Sequence, residues 1–174
     1  MFNRIVKHLA PLALLLALAV PMFNVQPVNA AALSNAWENL LVDGLLRAQT
    51  VTFPATTYVA LETASGSDTA CGTEVSGGSY ARVAVTSNTT NWANTQASGT
   101  GASSGTGGTT SNSAAITFPA PSANWGTITG FCVMSASTSG TLIYRASLTT
   151  NKTVNSGDPA PSFAIGALTF QIDN

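Results

Sequence analysis

TITGFCVMSASTSGTLIYRASL, residues 127–148, holds two runs of β-branched and aromatic residues on either side of Ser139-Gly140. Val, Ile, Thr, Phe and Tyr suit a pleated, half-buried surface, and Ser-Gly is turn chemistry. The stretch predicts two strands, 127–135 and 141–148. The same vocabulary extends outward: Thr occurs 24 times from position 50 on, mixed with Val, Ile, Phe and Tyr. Further strands are predicted at 57–62, 80–86, 114–118 and 162–172. Gly77-Gly78 and Ser156-Gly157-Asp158-Pro159 supply turns between them. Several short strands with this punctuation predict a mainly β fold, an antiparallel β-sandwich or barrel-like domain.

Ahead of the strands the period changes. Leu33, Ala36, Trp37, Leu40, Leu41, Gly44, Leu45 and Ala48 follow the i, i+3, i+4, i+7 spacing of one helical face. Ser34 is placed as N-cap, Glu38 lies in the first turn and Arg47 near the end, each with the sign that the helix dipole favours. One amphipathic helix over 34–47 is predicted. Its stripe packs either on its own domain or on a neighbouring subunit, with Trp37, Leu40, Leu41 and Leu45 as the contact residues in the second case.

Upstream, Arg4 and Lys7 precede an apolar run over 9–23 and a small-residue site at Val28-Asn29-Ala30. This order predicts a signal peptide over residues 1–30, cleaved near Ala31. A membrane-spanning helix needs about 20 apolar residues, and this run is shorter and contains Pro11 and Pro21. Only an uncleaved leader would bring a membrane into play. Residues 31–174 are then expected to form a single β-rich domain, a size suited to one core. The segment 97–114, with no apolar side chain larger than Ala, cannot bury enough surface to offset its ordering entropy, and a flexible loop is expected there.

Without residues 1–30 the chain loses His8, its only imidazole, and holds four basic residues against seven acidic, a net charge of −3. The basic residues Arg47, Arg82, Arg145 and Lys152 are scattered singly. Nucleic-acid binding rests on concentrated Lys and Arg and is not expected. Ser–His–Asp and Cys–His catalysis lack their base, and zinc or iron sites lack enough Cys and His. Glu62, Asp68 and Glu74 lie in a segment rich in Ser, Gly and Thr and are expected to be solvated loop carboxylates. No catalytic site, metal site or cofactor is predicted.

Export permits a disulfide, and Cys71 and Cys132 are the candidate pair. Low charge with abundant Thr, Ser, Ala and Gly is an unusual exterior for a soluble monomer. It points to burial of surface in an assembly; a Ser/Thr-rich secreted monomer is the alternative. Trp92 and Trp125 are candidates for a glycan-binding platform, although such residues serve more often as core or interface anchors.

The segments ALSNAWENLLVDGLLR, TYVALET, GTEVSGGSYARVAV, SNSAAITFPAPSANWGTITGFCVM, TLIYRASLTTNKTVNSGD and FAIGALTFQID follow one another from residue 32 onward. In this order they resemble a family of tailed-phage virion proteins described as tail-fibre or head-decoration-like. The resemblance implies a small structural protein with a leading helix and a β-rich body that associates with other virion subunits; the expected partners are further copies of the chain or other subunits of the same assembly. It brings no catalytic residues. The leader and the cysteine pair depart from what a virion protein assembled in the cytoplasm carries, so the expected location is secreted and extracellular, or virion-associated. The expected function is that of a non-enzymatic subunit of a fibre, filament or decoration layer; a secreted glycan-binding or adhesion module is the alternative.

Overall fold

The computed structural model describes residues 22–23, 32–94, 102–103 and 108–172. The elements run β1 (Met22–Phe23), β2 (Ala32–Leu33), α1 (Asn35–Leu46), β3 (Thr56–Ala64), β4 (Thr73–Glu74), β5 (Val83–Thr86), β6 (Thr110–Ser111), β7 (Ile116–Thr117), β8 (Gly126–Met134), β9 (Leu142–Val154), β10 (Ser162–Phe163) and β11 (Thr169–Phe170). The chain is mainly β, with one helix ahead of the main strands. The predicted leader lies outside the described residues apart from the β1 pair. Among the described residues no helix is long and apolar enough to cross a membrane.

The main sheet has the order β2-β9-β8-β3, and β4 and β5 both pair with the far edge of β3. Every pairing in it is antiparallel. Two small sheets, β1-β10-β7 and β11-β6, complete the strands; the β1–β10 pair is parallel. Aromatic rings tie the layers together. Phe131 of β8 lies edge-on to Phe163 of β10 at 5.5 Å and to Phe170 of β11 at 6.0 Å, the geometry that the ring quadrupole favours. Phe118, Ile128, Val59, Leu61 and Leu168 fill the same core.

The central strands bury both faces. On β3, Val59 and Leu61 point into this main core, whereas Ala60 joins Cys132, Met134 and Leu142 in a second apolar cluster. Side chains alternate across a strand, so Glu62 shares the face of Ala60. Cys71 and Cys132 form a disulfide with Cα atoms 5.9 Å apart, and it ties the 65–72 turn down over that second face.

Several boundaries depart from the sequence pattern. The 162–172 run is not one strand: a turn with Gly166 at φ +75° separates β10 from β11. Buried Asn112 organises that turn. Its Nδ2 donates to the carbonyls of Ala114 and Ala164, and its Oδ1 accepts from the Leu168 N–H. Asn112 and β6 also correct the end of the loop predicted over 97–114, because backbone and amide hydrogen bonds order the chain there without large side chains. Residues 97–101 and 104–107 of that region lie outside the described residues. The strand predicted over 80–86 starts only at Val83, since Ser79 takes φ +64° and Tyr80 turns inward to the Phe118 and Trp125 rings. Within 114–118 only Ile116–Thr117 is strand. β9 runs on to Val154, and its register against β8 shifts between Ile128 and Gly130, where Lys152 and Ser147 are their partners. The extra residues form an irregularity of the kind that bends a strand.

The helix occupies Asn35–Leu46, with Ser34 in extended backbone at its N-cap. The Ser34 hydroxyl does not cap; it donates to the Leu142 carbonyl, and the Ser34 N–H donates to the Ile143 carbonyl. The helix start is thereby fixed to β9.

Candidate functional site

The stripe predicted on α1 divides in two. Trp37 is buried, and Leu40 and Leu41 pack partly against the core. Beyond them Leu45 is 79% exposed and Leu46 81%, with Val42 also open. Gly44 meets the chain as it folds back: a Cβ there would lie 2.9 Å from Val51 Cγ2. That return brings Phe53 onto Trp37, stacked at 6.0 Å, yet Phe53 itself remains mostly exposed.

Leu41, Trp37 and Phe53 line an apolar cavity of about 300 Å³ together with Leu33, Pro54, Ile143, Tyr144 and Ile172. Leu45 follows Leu41 by one helical turn, so the cavity rim continues into the exposed end of the helix. Six large apolar residues are exposed among the described residues: Val42, Leu45 and Leu46 lie on the second half of α1, Phe53 and Ile172 line the cavity, and Ile165 lies between β10 and β11. Scattered exposed apolar residues are ordinary; exposed Phe53 and Ile172 in the lining, with exposed Leu45 one turn beyond Leu41, make this a candidate interaction site. At its base the Trp37 indole N–H is buried with no hydrogen-bond partner among the described residues.

The two remaining tryptophans differ. Trp125 is buried, its indole N–H donating to the Gly78 carbonyl at 2.9 Å while its ring meets Tyr80 edge-on. Trp92 is half-buried against Phe170 and borders a groove lined by Ser87, Asn88, Thr89, Asn94 and Thr110.

The acidic residues overturn an expectation. Glu62 is not a solvated loop carboxylate but is fully buried. The sheet order places β9 next to β8, where Arg145 pairs with Cys132, itself paired with Ala60. Arg145 therefore rises on the same face, and its Nη2 and Nε donate to Glu62 Oε1 at 2.5 Å and Oε2 at 3.2 Å. The Gly72 N–H donates to Oε2 at 2.9 Å. Oε2 also lies 3.5 Å from Cys132 Sγ and 3.8 Å from Cys71 Sγ. Gly130 faces this carboxylate, and any Cβ there would collide with Oε1.

Glu74 is likewise engaged. Arg82 donates to it through Nε at 2.8 Å and Nη2 at 2.7 Å. Arg82 Nη1 reaches the carbonyls of Ala136 and Ser139 and so fastens the turn between β8 and β9. The Tyr80 hydroxyl donates to Glu74 and accepts from the Leu61 N–H. Burial pushes the Tyr80 phenol well above its ordinary range, and the hydrogen bonds that Arg82 donates to Glu74 raise its guanidinium further. Asp68 alone keeps the expected exposed position. Both paired carboxylates are neutralised by their own guanidinium, unlike an acid and base poised to exchange protons with a substrate.

Sequence reasoning missed both ion pairs: Glu62 and Arg145 come from strands 83 positions apart, and Glu74 meets Arg82 only through the turn between β4 and β5. The signal available was Glu62 and Arg145 each sitting inside an apolar strand pattern, where an ionised side chain needs a partner.

A β-rich body with Glu62 and Glu74 held in ion pairs and an apolar helix end left open has the build of a structural component of an assembly. Residues 32–171 match the family described as Podophage GP4 fiber I protein gp80, and the chain belongs to this family. It is thus a phage fibre protein and virion-associated. No curated protein matches the sequence.

Proposed function

We propose that the chain is a non-enzymatic fibre subunit that associates with further copies of itself through the open end of α1 and the adjoining apolar cavity. The observation that carries this reading is the exposure of Phe53 and Ile172 in the lining of the apolar cavity and of Leu45 one helical turn beyond cavity-lining Leu41. Burial of one such side chain contributes about 1.5–3 kcal/mol. Leu45→Asp is expected to weaken association by about tenfold to a hundredfold, read as a shift toward monomer in sedimentation velocity over a concentration series. Leu45 is a better probe than Leu41, which also supports the core. A wild-type chain that stays monomeric at the highest concentration overturns the reading.

A glycan-binding role draws on Trp92, the tryptophan of the candidate pair that borders an open groove of hydroxyl and amide side chains. Aromatic rings pair an apolar face with such polar neighbours in recognition sites. Under this second reading Trp92→Ala abolishes retention on a glycan array, whereas Leu45→Asp leaves it unchanged. A wild-type chain that no glycan retains counts against it.

A further inference from the structure

We propose that the reduced form of the chain holds a borderline-soft divalent cation such as Zn²⁺ on Cys71, Cys132 and Glu62. The two sulfurs and the Glu62 carboxylate converge within 4.8 Å of one another. In a tetrahedral site with Zn–S near 2.3 Å and Zn–O near 2.0–2.2 Å, the sulfur-to-oxygen edge is about 3.5 Å. Oε2 already stands 3.5 and 3.8 Å from the two sulfurs. The third ligand is therefore in position before any cation arrives, and only the sulfurs must part.

The surroundings suit such a site. Ligating carboxylates are normally held by outer hydrogen bonds, and here Arg145 and the Gly72 N–H already provide them. Ala60, Met134, Leu142 and Tyr58 form an apolar wall around the cysteines. Charge also balances. With the disulfide closed, Glu62 and Arg145 cancel. With it open, a divalent cation offsets two thiolates and the first pair still cancels, so neither state buries a net charge. Cys71 is only half-buried, which leaves a path in and a fourth position for water.

The reduction needs an external dithiol. It gives two electrons and two protons to the S–S bond, becomes a disulfide itself, and leaves Cys71 and Cys132 as thiols. Cation binding then releases the two thiol protons to solvent. Counting cysteines and histidines along the chain could not indicate this site, because the third ligand is a glutamate that the fold brings to the pair.

The test is a Co²⁺ titration of the full chain after anaerobic reduction and removal of the dithiol. One equivalent is expected to produce thiolate-to-cobalt charge-transfer absorption that Zn²⁺ bleaches, while the disulfide form shows none. Cys71→Ser, which alters the more exposed ligand, is expected to weaken cobalt binding at least about tenfold. Glu62→Gln strips Arg145 of its partner charge and serves only as a second variant, checked for folding by circular dichroism. Absence of the band in a folded reduced chain, a band unchanged in Cys71→Ser, or loss of the sheet signal on reduction each overturns the proposal.

Discussion

Arg145→Ala is expected to destabilise the fold by about 3–5 kcal/mol, the range found when one partner of a buried ion pair is removed. Glu62 has no exposed surface, and after the substitution its carboxylate keeps the Gly72 N–H as its hydrogen-bond donor. Two charge-assisted bonds disappear, and the charge they compensated stays behind. Arg145 itself is 18% exposed along its side chain, so water entering through the vacated volume brings the loss toward the lower end of the range. Urea unfolding reads the effect as a fall in midpoint at unchanged slope. Arg145→Lys is expected to recover only part, because an ammonium cannot reproduce the forked contact with both carboxylate oxygens. The double change Glu62→Gln with Arg145→Met removes both charges and is expected to lie closer to wild type than Arg145→Ala alone. A loss below about 1 kcal/mol for Arg145→Ala would place the pair among solvent-screened surface bridges, contrary to its burial.

This pair also marks where reading the sequence stops. Residues 127–134 and 142–148 show their strand character through β-branched and aromatic content, and Ser139-Gly140 shows the turn; both residues take positive φ in the structure. Helix α1 is legible from its spacing. Glu62 and Arg145 stand 83 positions apart, and only the order β9-β8-β3 puts them on one face. Nothing local encodes that order, so a carboxylate within ETASGSDTACGTE reads as solvated. The short strands were hidden for a different reason. Two residues carry no period, and β6, β10 and β11 are fixed by Asn112 and by backbone pairing rather than by a pattern of apolar side chains. The helix shows a third limit: 3.6-residue spacing is identical for Trp37, which faces its own core, and for Leu45, which faces outward. Periodicity gives the stripe, and burial alone divides it.

Removal of the disulfide is expected to cost about 4 kcal/mol. The bond closes a loop with a sequence separation of 61, and the chain-entropy relation for a loop of that length gives about this value. A chain of this size loses roughly 2–4 °C in Tm for each kcal/mol, so reduction, or Cys71→Ala with Cys132→Ala, is expected to lower Tm by about 10 °C. The alanine pair is the cleaner comparison, because serine hydroxyls would donate to Glu62 and mask part of the loss. Domains are commonly stable by about 5–15 kcal/mol, which leaves the reduced chain folded at room temperature. That margin gives the redox step its meaning. With the bond open, the sheet order still holds Cys132 and Glu62 together through β8 and β3, while Cys71 on its turn gains freedom. A cation that gathers the three ligands closes the same loop that the disulfide closed, so Zn²⁺ is expected to restore part of the lost Tm in the reduced chain. It leaves the alanine pair unchanged, because no thiolate remains to bind. Equal melting of oxidised and reduced protein would overturn this expectation.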